Sequence, residues 1–173
     1  RAAFMQHSED SRKLAESMVR VGTELGIEVK AQLTQMDHPI GEWLGNSHEI
    51  AESIACLKGM GPHDTMELVY AQANALGFDI SESIVNGSAL QEFKSMLERQ
   101  GVEPALAQQL LDDPWSVLPR APQQYTLIAE QSGYLADLDA LLIGQVLCEA
   151  GAGRSKQGED IDHGVGIQIH KHI

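Results

Sequence analysis

Leu14, Met18, Val21 and Leu25 fall at i, i+4, i+7 and i+11, a spacing that lines one face of a helix. Ser8 can cap that helix, Glu9 and Asp10 suit the positive end of its dipole, and Gly26 can end it. The stripe reads as core packing. Directly afterwards the period drops from 3.6 to two: Ile27, Val29, Ala31 and Leu33 alternate with Glu28, Lys30 and Gln32. This alternation predicts a short strand over residues 27–33. A helix joined to a strand by one glycine is an α/β connection.

Pro39, Gly41 and Gly45 punctuate residues 34–46, which predicts a loop. Asn46 with Glu49 resembles a capping box for a helix ending near Leu57, with Ile50, Ile54 and Leu57 inward. Gly59 and Gly61-Pro62 stop it, and Asp64 caps a helix to about Leu76. Residues 80–85 read as a weaker helical turn. Ser88 with Gln91 opens a helix to Arg99 striped by Leu90, Phe93 and Leu97. Pro104 suits the first position of a short helix to Leu111. Composition changes at Asp112-Asp113-Pro114. Residues 125–138 then read as two extended segments around Ser132-Gly133, Asp139 as the cap of a helix over 140–150, and Val165, Ile167 and Ile169 as a last strand. The chain divides on this basis into 1–113 and 114–173.

Composition narrows the class. The chain has 173 residues, 43% hydrophobic and 21% charged, which is the globular range. It carries 25 acidic and 12 basic side chains, a formal charge of -13, which opposes binding to nucleic-acid phosphates. No apolar run reaches membrane-spanning length. Cys56 and Cys148 read as reduced small hydrophobes, and a cytoplasmic location is the expectation. Arg1 at the start and an alternating pattern still running at Ile173 suggest a piece of a longer chain.

Candidate chemistry is sparse. The run from Gly151 to Lys156 lacks the four-residue spacing of a Walker loop and reads as a turn. His163, His170 and His172 have no cysteine or carboxylate partners at ligand spacing and read as solvated surface. No nucleophile stands at a recognisable spacing from a base.

Three segments carry a family resemblance. Ala3-Phe4-Met5 before an acidic helix resembles the end of "Lys-x-Gly-x-Gly-Ala-Phe-Met". Residues 33–41 and 45–50 resemble "Leu-Thr-x-Met-x-x-Pro-Leu-Gly…Gly-Asn-Ala-x-Glu-Val". Gly151-Ala152-Gly153-Arg154 and Asp162-His163-Gly164-Val165-Gly166 resemble "Gly-Ala-Gly-Arg…Ile-Asp-x-x-Val-Gly". In this order the segments are similar to the thymidine phosphorylase and pyrimidine-nucleoside phosphorylase family.

The resemblance implies a fragment of the large α/β domain, a mixed sheet flanked by helices, truncated at both ends and leading into a barrel-like C-terminal region. It implies phosphorolysis of thymidine or another pyrimidine nucleoside to free base and a pentose 1-phosphate. Phosphate is then the co-substrate, there is no organic cofactor, and the complete enzyme is a homodimer. The family's phosphate loop, its base-binding Arg, Ser and Lys, and the histidine near the base fall outside this chain, so no catalytic residue is carried over. Phe4 matches the phenylalanine against the pyrimidine ring. Ile40 and Trp43, through backbone carbonyls, and Glu52, through its carboxylate, match a potassium site. Ile40 stands for the usual Leu and Trp43 for a small residue. Without the resemblance, Phe4 reads as core and Glu52 as an exposed helix glutamate. Two alternatives follow: a non-catalytic fragment, and a related phosphorylase of nucleoside 5′-monophosphates.

Overall fold

The computed structural model describes Met5 and residues 7–154 and 156–170. Seven helices account for most of the ordered backbone of these residues. They are α1 (Ser8–Glu24), α2 (Asn46–Leu57), α3 (His63–Ala75), α4 (Ser81–Val85), α5 (Ser88–Arg99), α6 (Pro104–Asp112) and α7 (Ala140–Leu147). A 3-10 turn at Pro114–Ser116 follows α6, and a wider π-type turn at Cys148–Ala152 continues α7. Two short strands, β1 (Trp43–Leu44) and β2 (Ile167–Gln168), pair antiparallel, Trp43 opposite Gln168 and Leu44 opposite Ile167. Ile169 N extends the pairing by donating to Glu42 O at 2.7 Å.

The core lies where α2 meets α5 and the 3-10 turn, with α4 and α6 packed on α5. Ile54 and Leu111 are each 1% exposed, and Ala107 is fully buried. Lys58, just past α2, donates through Nζ to Leu111 O, so a cation meets the carbonyl end of α6. Asp139 caps α7 as its sequence predicts: Oδ1 accepts from Leu141 N at 2.9 Å and Leu142 N at 3.1 Å.

The helix-rich architecture with a small sheet accords with a fragment of an α/β domain. The expected mixed sheet is not what the described residues form; their sheet is two-stranded and antiparallel. Residues 27–33 are nonhelical, as expected, but belong to no strand. Alternation makes a segment fit to be a strand, whereas a strand exists only where a neighbour takes its amides and carbonyls. Residues 125–138 likewise form no strand, and Tyr125, Leu127, Ile128 and Tyr134 are exposed. The α1 stripe is not core here: Met18, Val21 and Leu25 are all exposed, Leu25 at 70%. Ile50, expected inward, is also exposed.

Caps shift by a residue or more. His7, not Ser8, precedes α1, and Gly87 precedes α5 without a Ser88–Gln91 side-chain cap. Pro62 precedes α3, with Asp64 in its first turn. No helix among the described residues is long and apolar enough to cross a membrane.

Candidate functional site

Residues 40–46 are held from three directions. From α2, Glu52 Oε2 accepts from Glu42 N at 2.7 Å and Trp43 N at 2.9 Å. From the first turn of α3, Asp64 Oδ2 accepts from Gly41 N at 3.0 Å. From the C-terminal region, β2 pairs with β1, Ser47 N donates to His163 O, and Asn46 Nδ2 donates to Ala152 O at 3.0 Å. Three successive amides thus point at two carboxylates.

Two glycines make these approaches possible. Gly41 has φ +78°, and a Cβ there would lie 2.2 Å from Glu52 Oε1 and 3.0 Å from Thr65 Oγ1. Gly45 has φ +116°, and its Cβ would meet Val165 O at 2.4 Å. Glu49 Oε1 accepts from Gly45 N at 3.1 Å, one residue before the Asn46 amide that the expected capping box would use. Asn46 makes no cap: it is the first residue of α2, Gly45 holds the cap position, and the Asn46 Nδ2 donates to Ala152 O.

The electrostatics follow from burial. Burial raises the Glu52 carboxyl above its ordinary value, the amides of Glu42 and Trp43 oppose the rise, and the neighbouring charge of Asp64 adds to it. Burial also raises the Cys56 thiol, with Glu52 reinforcing it. Thr65 Oγ1 and His48 Nδ1 are buried with no hydrogen-bond partner among the described residues.

Beside the loop stands an aromatic cluster that sequence reading missed. Trp43 stacks on Trp115 at 5.3 Å between centroids, and His48 meets Trp115 edge-on at 5.1 Å. The Arg120 guanidinium lies 4.1 Å from the Trp115 ring centre. Burial, then the charge of Arg120, lowers the His48 pKa below the ordinary imidazole value. A cleft of about 270 Å³ is lined by Glu42, Trp43, Glu52, Met60 and Trp115.

The structure therefore brings together the backbone at Trp43 and the carboxylate of Glu52, with Ile40 one residue before the Gly41 amide that Asp64 holds. Phe4 lies outside the described residues. In the sequence Asp64 reads only as a helix cap; its reach to Gly41, 23 residues away, leaves no periodic trace. His163 and His170 are exposed, and His172 lies outside the described residues. No group of three or more His, Cys, Asp or Glu side chains able to hold a metal ion occurs among the described residues. The Gly151 turn folds back as expected, its carbonyl accepting from Asp162 N at 2.9 Å.

Comparison with known proteins gives the class first. The family described as "Pyrimidine nucleoside phosphorylase C-terminal domain" matches residues 134–173. Human thymidine phosphorylase is 37% identical over 97% of this chain and 38% of its own length. Thymidine phosphorylase of Mycobacterium tuberculosis is 34% identical over 98% of this chain and 39% of its own. Pyrimidine-nucleoside phosphorylase of Bacillus subtilis is 34% identical over 99% and 41%. The chain is similar to thymidine and pyrimidine-nucleoside phosphorylases along nearly its whole length and spans about two fifths of the length of these relatives.

Proposed function

We propose that the chain is the C-terminal α/β part of a phosphorylase acting on thymidine or another pyrimidine nucleoside. In that reaction a phosphate oxygen bonds to C1′ of the sugar as the bond from C1′ to the base breaks. The electron pair leaves with the base, which takes up a proton. Positive charge grows on the sugar and negative charge on the base, so fixed donors on both sides lower the barrier. The contribution of this chain is a braced loop beneath the phosphate side, with a monovalent cation held by the Ile40 and Trp43 carbonyls and Glu52.

One observation carries the reading. The loop within the second resembling segment folds around Glu52, the one side chain the resemblance marks as a cation ligand. The donor set suits a weakly held hard cation. Glu52 uses Oε2 for two amides, while Oε1 and the unpartnered Thr65 Oγ1 converge beside the side-chain-free face of Gly41. When bound, potassium supplies positive charge that offsets the carboxylate and braces the loop.

Phosphate-dependent release of thymine from thymidine, or uracil from uridine, by the protein carrying this segment tests the function. Release indifferent to phosphate, or no release from either nucleoside, overturns it. The 173 residues alone are expected to release none, since the phosphate and base anchors implied by the resemblance lie outside them. In the active protein, Glu52→Gln is expected to weaken the response to potassium, and superimposable potassium titrations would remove Glu52 from the ligand set.

A further inference from the structure

The peptide joining Ile40 to Gly41 contains the Ile40 carbonyl and the Gly41 amide. In a planar trans peptide these two groups point in opposite directions. Whatever holds the amide therefore aims the carbonyl. Asp64 holds it, through Oδ2 at 3.0 Å, while Oδ1 accepts from Thr65 N at 2.8 Å. The carboxylate is thus fixed by the start of a 13-residue helix before it reaches the loop. Glu52 does the same for the next two amides, those of Glu42 and Trp43. The two acids divide the work: Glu52 orients the carbonyls of Gly41 and Glu42, and Asp64 alone orients that of Ile40.

We infer that Asp64 is a positioning residue, which turns the Ile40 carbonyl toward the cation by holding the Gly41 amide. The inference rests on the cation reading of the loop given above. Asp64 makes no cation contact of its own in this scheme. Its role needs an acceptor oxygen at the end of a short side chain; asparagine has one such oxygen and can keep the Gly41 bond only by giving up the bond to Thr65 N, and alanine has none. Buried loop backbone has few substitutes for such an acceptor, because water is largely excluded; Gly41 itself is buried.

The test uses the protein carrying this segment, its Asp64→Ala and Asp64→Asn variants, and potassium chloride titrated at constant ionic strength. Amide exchange and amide chemical shifts at Gly41 and Leu44 are followed by NMR. Alanine is expected to speed Gly41 exchange roughly tenfold and to weaken potassium binding about tenfold or more. Asparagine, which keeps one acceptor oxygen of the two, is expected to fall between the native chain and alanine on both readouts. Exchange beyond the first turn of α3 reports whether the helix survives, separating loss of the hold from loss of the fold. Unchanged Gly41 exchange in a folded Asp64→Ala chain overturns the inference, as does faster exchange with undiminished potassium affinity. A native chain indifferent to potassium removes the cation reading instead, and Gly41 exchange then decides whether Asp64 holds the loop.

Discussion

Residues 27–33 and 40–44 lie close together in the chain, and both are nonhelical backbone. The first alternates cleanly, yet Ile27 and Leu33 are exposed and it joins no strand among the described residues. The second has no periodicity, yet its amides end on Glu52 and Asp64 and its strand pairs with β2. The difference lies in the partners. Period-two patterning fits a segment for a sheet but does not supply one. Two carboxylates on neighbouring helices give irregular backbone the acceptors it needs. The same contrast separates α1, whose stripe faces outward, from α2, whose Ile54 is sealed against its neighbours.

The largest expected break in this comparison comes from matched truncations. Ile54→Ala should cost about 3 kcal/mol, as for a large aliphatic lost from a packed core. Met18→Ala, at 59% exposure, should stay within about 0.5 kcal/mol. Urea denaturation of both variants measures the pair, and equal losses would mean that α1 is packed in solution. A second pair uses glycines of similar backbone. A methyl added at Gly26 (φ +74°) would find nothing within 4 Å, so Gly26→Ala should cost only the left-handed strain, about 1 kcal/mol. Gly41→Ala adds displacement of Glu52 and should cost at least about 2 kcal/mol.

Smaller effects sharpen the picture. Asp139→Ala removes the acceptor for two α7 amides and should cost about 1 kcal/mol in the same assay. The smallest is a pH effect at His48. Its pKa is lower in the folded chain than the ordinary 6.5, so below that pH the unfolded chain binds the proton more readily. Stability from this group is present above 6.5 and is lost as pH falls through the lowered folded value. His48→Gln should flatten that part of the stability–pH curve, and an unchanged slope would assign it to other groups.

The local grammar of the fold was legible. Glycines and prolines mark most helix ends, Asp139 caps where its position predicts, and Glu49 reaches back to Gly45. What was not legible depends on distant partners. Asn46 looks like a cap, yet it is the first residue of α2 and its amide reaches the carbonyl of Ala152, 106 residues on. Trp43, His48, Trp115 and Arg120 meet only after the chain has turned through α2 to α6, so no spacing announces their cluster. Of the candidate site, Ile40, Trp43 and Glu52 came from the family resemblance. Asp64 came only from the folded geometry, because a first-turn aspartate explains itself locally.

The central claim is that Glu52 gives residues 42 and 43 the fixed backbone that residues 27–33 lack. Amide hydrogen exchange, read residue by residue in the native chain and in Glu52→Ala, tests it directly. The account predicts strong protection of the Glu42 and Trp43 amides that collapses in the variant, with residues 28–33 exchanging near the free-peptide rate in both proteins. Equal protection of the two segments in the native chain, or protection at Glu42 and Trp43 that survives the loss of the carboxylate, would contradict it.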